Sequence, residues 1–212
     1  MFKVKVFSET EPYFVEQYGS CRWEQVLSLA EPVFSALCAG HPHESKAVRA
    51  HTVKVIYPTV ALYRAMQEAG IPQSEALAFL DRTCSLRAEP KAAAMRSMLK
   101  IPGLYKKMPA IFKWVTVHQF GEAAGFQANF YDLGNGRCKF DMTRCLYCDV
   151  CRRENCPELT PCFCHTDDVT DGNMHPRLLW NRSKVMGEGA DVCDFDLIVT
   201  EKPRLSDPSQ EE

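Results

Sequence analysis

The spacing of apolar residues changes at Gly121, and this change sets the fold class. Before it, Val48, Thr52, Val55, Thr59, Leu62, Met66 and Ala69 recur at steps of four and three, the mark of one face of a helix. That helix is expected from about Glu44 to Ala69, stopped by Gly70 and kinked or split by Pro58, which has no N–H to donate. Pro72 and Ser74 start a further helix carrying Ala76, Leu77, Leu80 and Cys84. Trp23, Val26, Leu27 and Ala30 mark an earlier one that ends near Pro32, and Pro102 and Pro109 divide 91–120 into short helical pieces. After Gly121 the period falls to two. Phe126, Ala128 and Phe130 alternate with Gln127, Asn129 and Tyr131, Gly134-Asn135-Gly136 makes a tight turn, and Cys138, Phe140 and Met142 alternate with polar partners. This is a β-hairpin. Residues 144–154 and 157–168 read as short helices; 178–180 and 192–200 read as strands, joined through Gly187-Glu188-Gly189.

The fold expected is therefore α+β: a helical N-terminal half packed on a small antiparallel sheet of about four strands, with cysteine-rich connecting helices. Residues 1–202 form a single domain on this reading, helical over 1–121 and sheet-forming and cysteine-rich over 122–202, followed by a polar, flexible tail at 203–212. With 212 residues, 46% of them hydrophobic, such a chain buries a core without disulfide staples. A net charge of −2 gives no electrostatic footprint for nucleic acid or an anionic membrane. No window approaches a membrane-spanning length of apolar residues, and Met1–Phe7 does not open a signal peptide. The expected setting is cytoplasmic, with the eleven cysteines reduced. A homo-oligomer stays open.

Seven of the eleven cysteines lie between Cys138 and Cys164. A thiolate is both a nucleophile and a soft metal ligand, so this third of the chain is where chemistry is expected. Cys145-x2-Cys148-x2-Cys151-x4-Cys156-Pro157 approaches the ferredoxin run but has a final gap of four where that run has three. Cys145, Cys148, Cys151 and Cys156 are thus candidate ligands for zinc or an iron–sulfur cluster. On a helix, successive members of such a run sit about 60° apart around the axis, which suits two on one metal better than three. Cys21, Cys38, Cys84 and Cys138 read as buried core residues. A second reading is nucleophilic catalysis. Cys164 and Asp167 are three residues apart and share a helix face, with Cys193 as a second thiol from a strand. The bland alternative is that Asp167 or Asp168 only caps a helix. A third element is Trp180-Asn181-Arg182-Ser183-Lys184, which as a strand puts Trp180, Arg182 and Lys184 on one face. There Arg182 is a candidate fork for a substrate carboxylate, with Trp180 beside it.

These elements together resemble the L-2-amino-thiazoline-4-carboxylic acid hydrolase family. The matching residues are Arg144-Cys145 ending a strand, Cys164-x-x-Asp167, Trp180 to Lys184, Gly187-Glu188-Gly189, and Cys193-Asp194-Phe195; more loosely, Ala61 to Gly70 and Ser74 to Leu77 look like the family's paired helices. The resemblance implies a small-molecule substrate as partner and hydrolytic opening of a C–N bond in a cyclic amidine bearing a carboxylate. It implies Cys164 as nucleophile or metal holder, Asp167 as proton carrier, Cys193 as assisting thiol and Arg182 as carboxylate clamp. Cys148, Cys151, Cys156 and Cys162 are thiols beyond those it uses and keep metal binding open. The C-x-x-D with a distant cysteine is similar to the set in organomercurial lyases, and the glycine–C-D-F ending to four-vinyl-reductase ligand-binding domains. The alternative from another class is a metal-, redox- or ligand-sensing module without catalysis.

Overall fold

The structure, a computed structural model, describes residues 4–134 and 136–203. The expected turn residue Asn135 and nearly all of the expected tail lie outside them. The first helix, α1 (Lys5–Tyr18), was not anticipated; Val6, Phe7, Thr10 and Phe14 form its buried stripe. Helix α2 (Ser20–Gly40) runs through Pro32 instead of ending there. A proline inside a helix costs about 3 kcal/mol. Burying each of Trp23, Val26 and Leu37 returns about 1.5–3 kcal/mol, so the apolar face outweighs the break. Phe14 ties the two helices together through Trp23, 5.3 Å away between ring centres, and also meets Phe79 of a later helix at 5.4 Å.

The expected Glu44–Ala69 helix is present but divided. Helix α3 (Lys46–His51) passes into a π-helical turn, Thr52–Ile56, and then into α4 (Tyr57–Glu68). Pro58 is the cause that the sequence names. Its missing N–H falls at the start of α4, where no i−4 partner is needed, and the wider turn just before it absorbs the mismatch. Thr59 Oγ1 donates to the Val55 carbonyl at 2.8 Å, while Thr52 Oγ1 (2.6 Å) and Tyr57 Oη (2.5 Å) both donate to Glu44 and pin the turn. Gly70 closes the element with φ +82°, a conformation that favours glycine. Helix α4 is buried on every side, from Tyr57 to Met66. Helix α5 (Gln73–Met98) starts where Pro72 predicts but continues through Pro90, and α6 (Met108–Gln119) follows a short 3₁₀ turn.

The sheet has four antiparallel strands: β1 (Gln127–Tyr131), β2 (Arg137–Arg144), β3 (Leu178–Asn181) and β4 (Cys193–Val199), in the order β1-β2-β4-β3. The expected hairpin is β1 with β2, in a register that pairs Phe130 with Phe140. Alternation sets its inner face: Cys138, Phe140 and Met142 are buried on β2, and Phe140 stacks on Phe195 of β4 at 4.9 Å. Phe112 of α6 covers this face, edge-on to Trp180. Helices α7 (Leu146–Arg153) and α8 (Thr160–Asp171) connect β2 to β3, and α8 packs along α5. One contiguous apolar core runs from Val6 in α1 to Phe195 in β4.

Candidate active site

Sheet topology brings the expected thiols to one end of the fold. Strand β2 ends at Arg144, so Cys145 leaves the sheet and becomes the N-cap of α7. Met142, three residues earlier, pairs with Cys193 at the start of β4. Helix α8 supplies Cys164 and Asp167. A 3₁₀ turn, Met186–Glu188, joins these groups. The Met186 N–H donates to Cys193 Sγ at 3.2 Å. At the next residue, a Cβ on Gly187 would fall 2.8 Å from Cys164 Sγ and 3.0 Å from Thr160 Cγ2. Only glycine lets the backbone lie against that sulfur, and Gly189 ends the turn at φ +100°. One three-residue turn therefore touches both Cys164 and Cys193, and this gives the Gly-Glu-Gly motif its physical content.

The thiols at this end differ sharply in their ease of ionisation. Burial pushes Cys164 well up, the nearby charges of Asp167, Cys145 and Cys193 add to this, and Arg182 only partly opposes it. Cys193 is pushed up to about 11 by burial against the pull of the Met186 N–H. Cys145 moves the other way. The nearness of the Cys148 thiol, and of the backbone N–H groups of Cys148 and Tyr147 at the helix start, outweighs burial and lowers it, although its side chain makes no capping hydrogen bond. Cys148, close to it and buried, is raised. Asp167 is raised to about 6 by desolvation, with Asp168 adding and Arg182 opposing. Its side chain is nonetheless 42% exposed, so it is a carboxyl that solvent and solutes reach.

Arg182 is not an open fork. Its side chain is 2% exposed and is held on α8: Nη1 donates to Asp167 Oδ2 at 3.0 Å, and Nη2 to Asp168 Oδ2 at 2.6 Å and to the Cys164 carbonyl at 3.1 Å. Its other face lies over the Phe195 ring at 5.7 Å. A substrate carboxylate would have to displace one of these partners. Trp180 likewise serves packing, with Nε1 on Asp168 Oδ1 at 3.0 Å and its ring between Phe112 and Phe195. The single strand face expected for Trp180, Arg182 and Lys184 is not formed. Strand β3 stops at Asn181, because Asp194 takes the Ser183 N–H (2.8 Å), the Lys184 N–H (2.5 Å) and Ser183 Oγ (2.6 Å) and turns the chain.

The four thiols of the ferredoxin-like run form two couples at opposite ends of α7. Cys145 and Cys148 meet at its start. Cys151 and Cys156 meet at its end, where the helix closes in a Schellman motif. The Asn155 N–H bonds to the Arg152 carbonyl at 3.1 Å, the Cys156 N–H to the Cys151 carbonyl at 2.8 Å, and Asn155 takes φ +55°. The gap of four residues is thus the length of a helix cap. Among the described residues no three His, Cys, Asp or Glu side chains are grouped to hold one ion. Of the cysteines expected in the core, Cys84 and Cys138 are buried, Cys38 is half-buried and Cys21 is exposed.

Two further groups border the site. His165 bridges Asp81 (2.6 Å) and Glu188 (3.3 Å); these two carboxylates outweigh burial and raise it. Both His165 and Glu188 stand inside the quoted motifs, so spacing offered a signal for them. Tyr147 reaches His51 Nδ1 at 3.3 Å, and the Gln119 carbonyl at 2.9 Å from His51 Nε2 fixes that ring as a donor at Nε2 and an acceptor at Nδ1. Tyr147 and His51 are 96 residues apart, and no local pattern links them.

Comparison with known proteins gives one family and one solved structure. A family model described as L-2-amino-thiazoline-4-carboxylic acid hydrolase matches residues 49–197, which include Cys145, Cys164, Asp167, Arg182 and Cys193. No curated protein matches the chain. The crystal structure of an H-NOX protein from S. oneidensis in the Fe(II)NO ligation state is 13% identical. It covers 92% of this chain and 98% of its own, with a TM-score of 0.36, a score at which likeness carries no argument.

Proposed function

This chain belongs to the L-2-amino-thiazoline-4-carboxylic acid hydrolase family, and we propose that it hydrolyses a C–N bond in a small cyclic amidine carboxylate of that type through a thiol. The observation that carries this reading is the meeting of Cys164 and Cys193 on the Met186–Glu188 turn, with Cys145 at the same end of the sheet. The amidine carbon, bonded to two nitrogens, is the electrophile. Cys164 is the nucleophile that the resemblance implies, but a buried sulfur in contact with Gly187 and held as a neutral thiol favours a wall of the site. We therefore assign the attack to Cys145, whose thiolate the start of α7 stabilises.

The sulfur adds to the amidine carbon, and Asp167 gives its proton to the ring nitrogen as the C–N bond breaks. Water then attacks the carbon and Asp167 takes a proton back. Cys145 leaves as thiolate, and the water oxygen becomes the product carbonyl. A carboxyl near 6 suits both proton steps near neutral pH. Cys193 and Cys164 remain neutral and line the site. Arg182 acts on Asp167 as a positioning residue, and Trp180 holds Asp168 beside it. The test is to incubate the purified protein with L-2-amino-thiazoline-4-carboxylate and follow loss of the ring and gain of a carbamoyl product. Turnover is expected; an intact ring after exhaustive incubation overturns the proposal.

A further inference from the structure

Cys145 and Cys148 form a C-x-x-C pair across the first turn of α7. Cys145, the N-cap, is half-buried and reaches solvent; Cys148, one turn on, is 4% exposed. Residues three apart at a helix start are neighbours on one face, and the two thiols lie close enough for each to shift the other's ionisation. This is an asymmetric dithiol, with a half-buried cysteine at a helix N-terminus and a buried partner one turn on. The other couple lacks the asymmetry, since Cys151 and Cys156 are 0% and 2% exposed. Cys164 and Cys193 are both buried and each already rests on the Met186–Glu188 turn.

We propose that Cys145 and Cys148 form a dithiol–disulfide exchange site for small soluble disulfides. The Cys145 thiolate attacks one sulfur of the incoming disulfide, forming a mixed disulfide and releasing one thiolate. The Cys148 thiol then loses its proton to that released thiolate and attacks the Cys145 sulfur. The intramolecular disulfide closes and the second half of the oxidant leaves as thiolate. Two protein sulfurs are oxidised and one disulfide is reduced to two thiols, so electrons balance. The half-burial of Cys145 favours a small oxidant, and no turnover of the amidine is needed for the exchange. The oxidised form cannot attack an amidine, so oxidation also switches hydrolysis off; that consequence, unlike the exchange itself, rests on the function proposed above.

The experiment equilibrates the folded full-length protein with graded ratios of reduced to oxidised glutathione, quenches with acid, alkylates free thiols and maps them by mass spectrometry. The tryptic peptide 145–152 carries Cys145, Cys148 and Cys151, and fragmentation assigns the bridged pair. The result expected is a Cys145–Cys148 disulfide as the first bridge to form, with Cys151, Cys156, Cys164 and Cys193 still alkylated. In Cys148→Ser, glutathione should remain on Cys145 as a mixed disulfide; circular dichroism confirms that this variant folds. A different first bridge, or wild-type Cys145 that keeps glutathione while Cys148 stays alkylated, overturns the proposal. Because the readout is a peptide mass, it is unaffected by whether the protein hydrolyses the amidine.

Discussion

Gly187 and Asp167 carry the residue-scale predictions. In Gly187→Ala the new methyl meets Cys164 Sγ and Thr160 Cγ2, and overpacking of this kind costs about 1–3 kcal/mol. Urea unfolding should show that loss, and hydrolysis should fall further than stability does, because the turn leaves both thiols. An unchanged midpoint would mean that the turn does not press on Cys164. Asp167, near 6, must be protonated to release the ring nitrogen, so the rate should fall as pH rises through that value. Arg182 lowers this carboxyl and Asp168 raises it. Arg182→Gln should therefore move the falling limb to higher pH, and Asp168→Asn should move it to lower pH. Limbs that stay put, or move together, would remove Asp167 from the proton path.

At the scale of elements, α7 shows why some of the site is legible in sequence and some is not. Strands β1 and β2 follow from alternation, because a period of two has no helical counterpart over Phe126–Phe130 and Cys138–Met142. The spacing of Cys164 and Asp167 and the Gly-Glu-Gly turn likewise survive translation into structure. The helix end expected near Pro32 does not, since tertiary burial overrides a local breaker. The cysteine run misleads for a different reason. Its last gap departs by one residue from the metal-binding pattern and has the length of a Schellman cap, which the φ of Asn155 and the two cap hydrogen bonds identify. That cap predicts that Asn155→Ala loses up to about 1 kcal/mol, because alanine lacks the short polar side chain that lets asparagine bond locally in left-handed backbone, while Asn155→Gly, with no Cβ to crowd the turn, does not. Thermal unfolding of the two variants decides it; equal losses would contradict the cap. Cys145 could not be singled out from sequence, because its ionisation depends on Cys148 and on the amides of a helix whose start lies beside it.

Across the whole molecule, a core shared by α1, α4, α8 and the sheet argues for residues 1–202 folding as one unit. Trp23 sits in the helical part and Trp180 in the sheet, so fluorescence and far-ultraviolet circular dichroism should report one coincident unfolding transition. Two separated transitions would mean two domains. Zinc and an iron–sulfur cluster, suggested by the cysteine spacing, are read independently by element and labile-sulfide analysis of the purified protein. The claim on which the rest depends is that Cys145, and not Cys164, attacks the substrate. Hydrolysis of L-2-amino-thiazoline-4-carboxylate by the wild type, Cys145→Ser and Cys164→Ser, measured side by side, tests it most directly. Cys145→Ser should lose activity at least roughly a thousandfold, the scale on which removal of a nucleophile acts, while Cys164→Ser keeps measurable turnover. Near wild-type hydrolysis by Cys145→Ser, with Cys164→Ser inactive, would contradict this account.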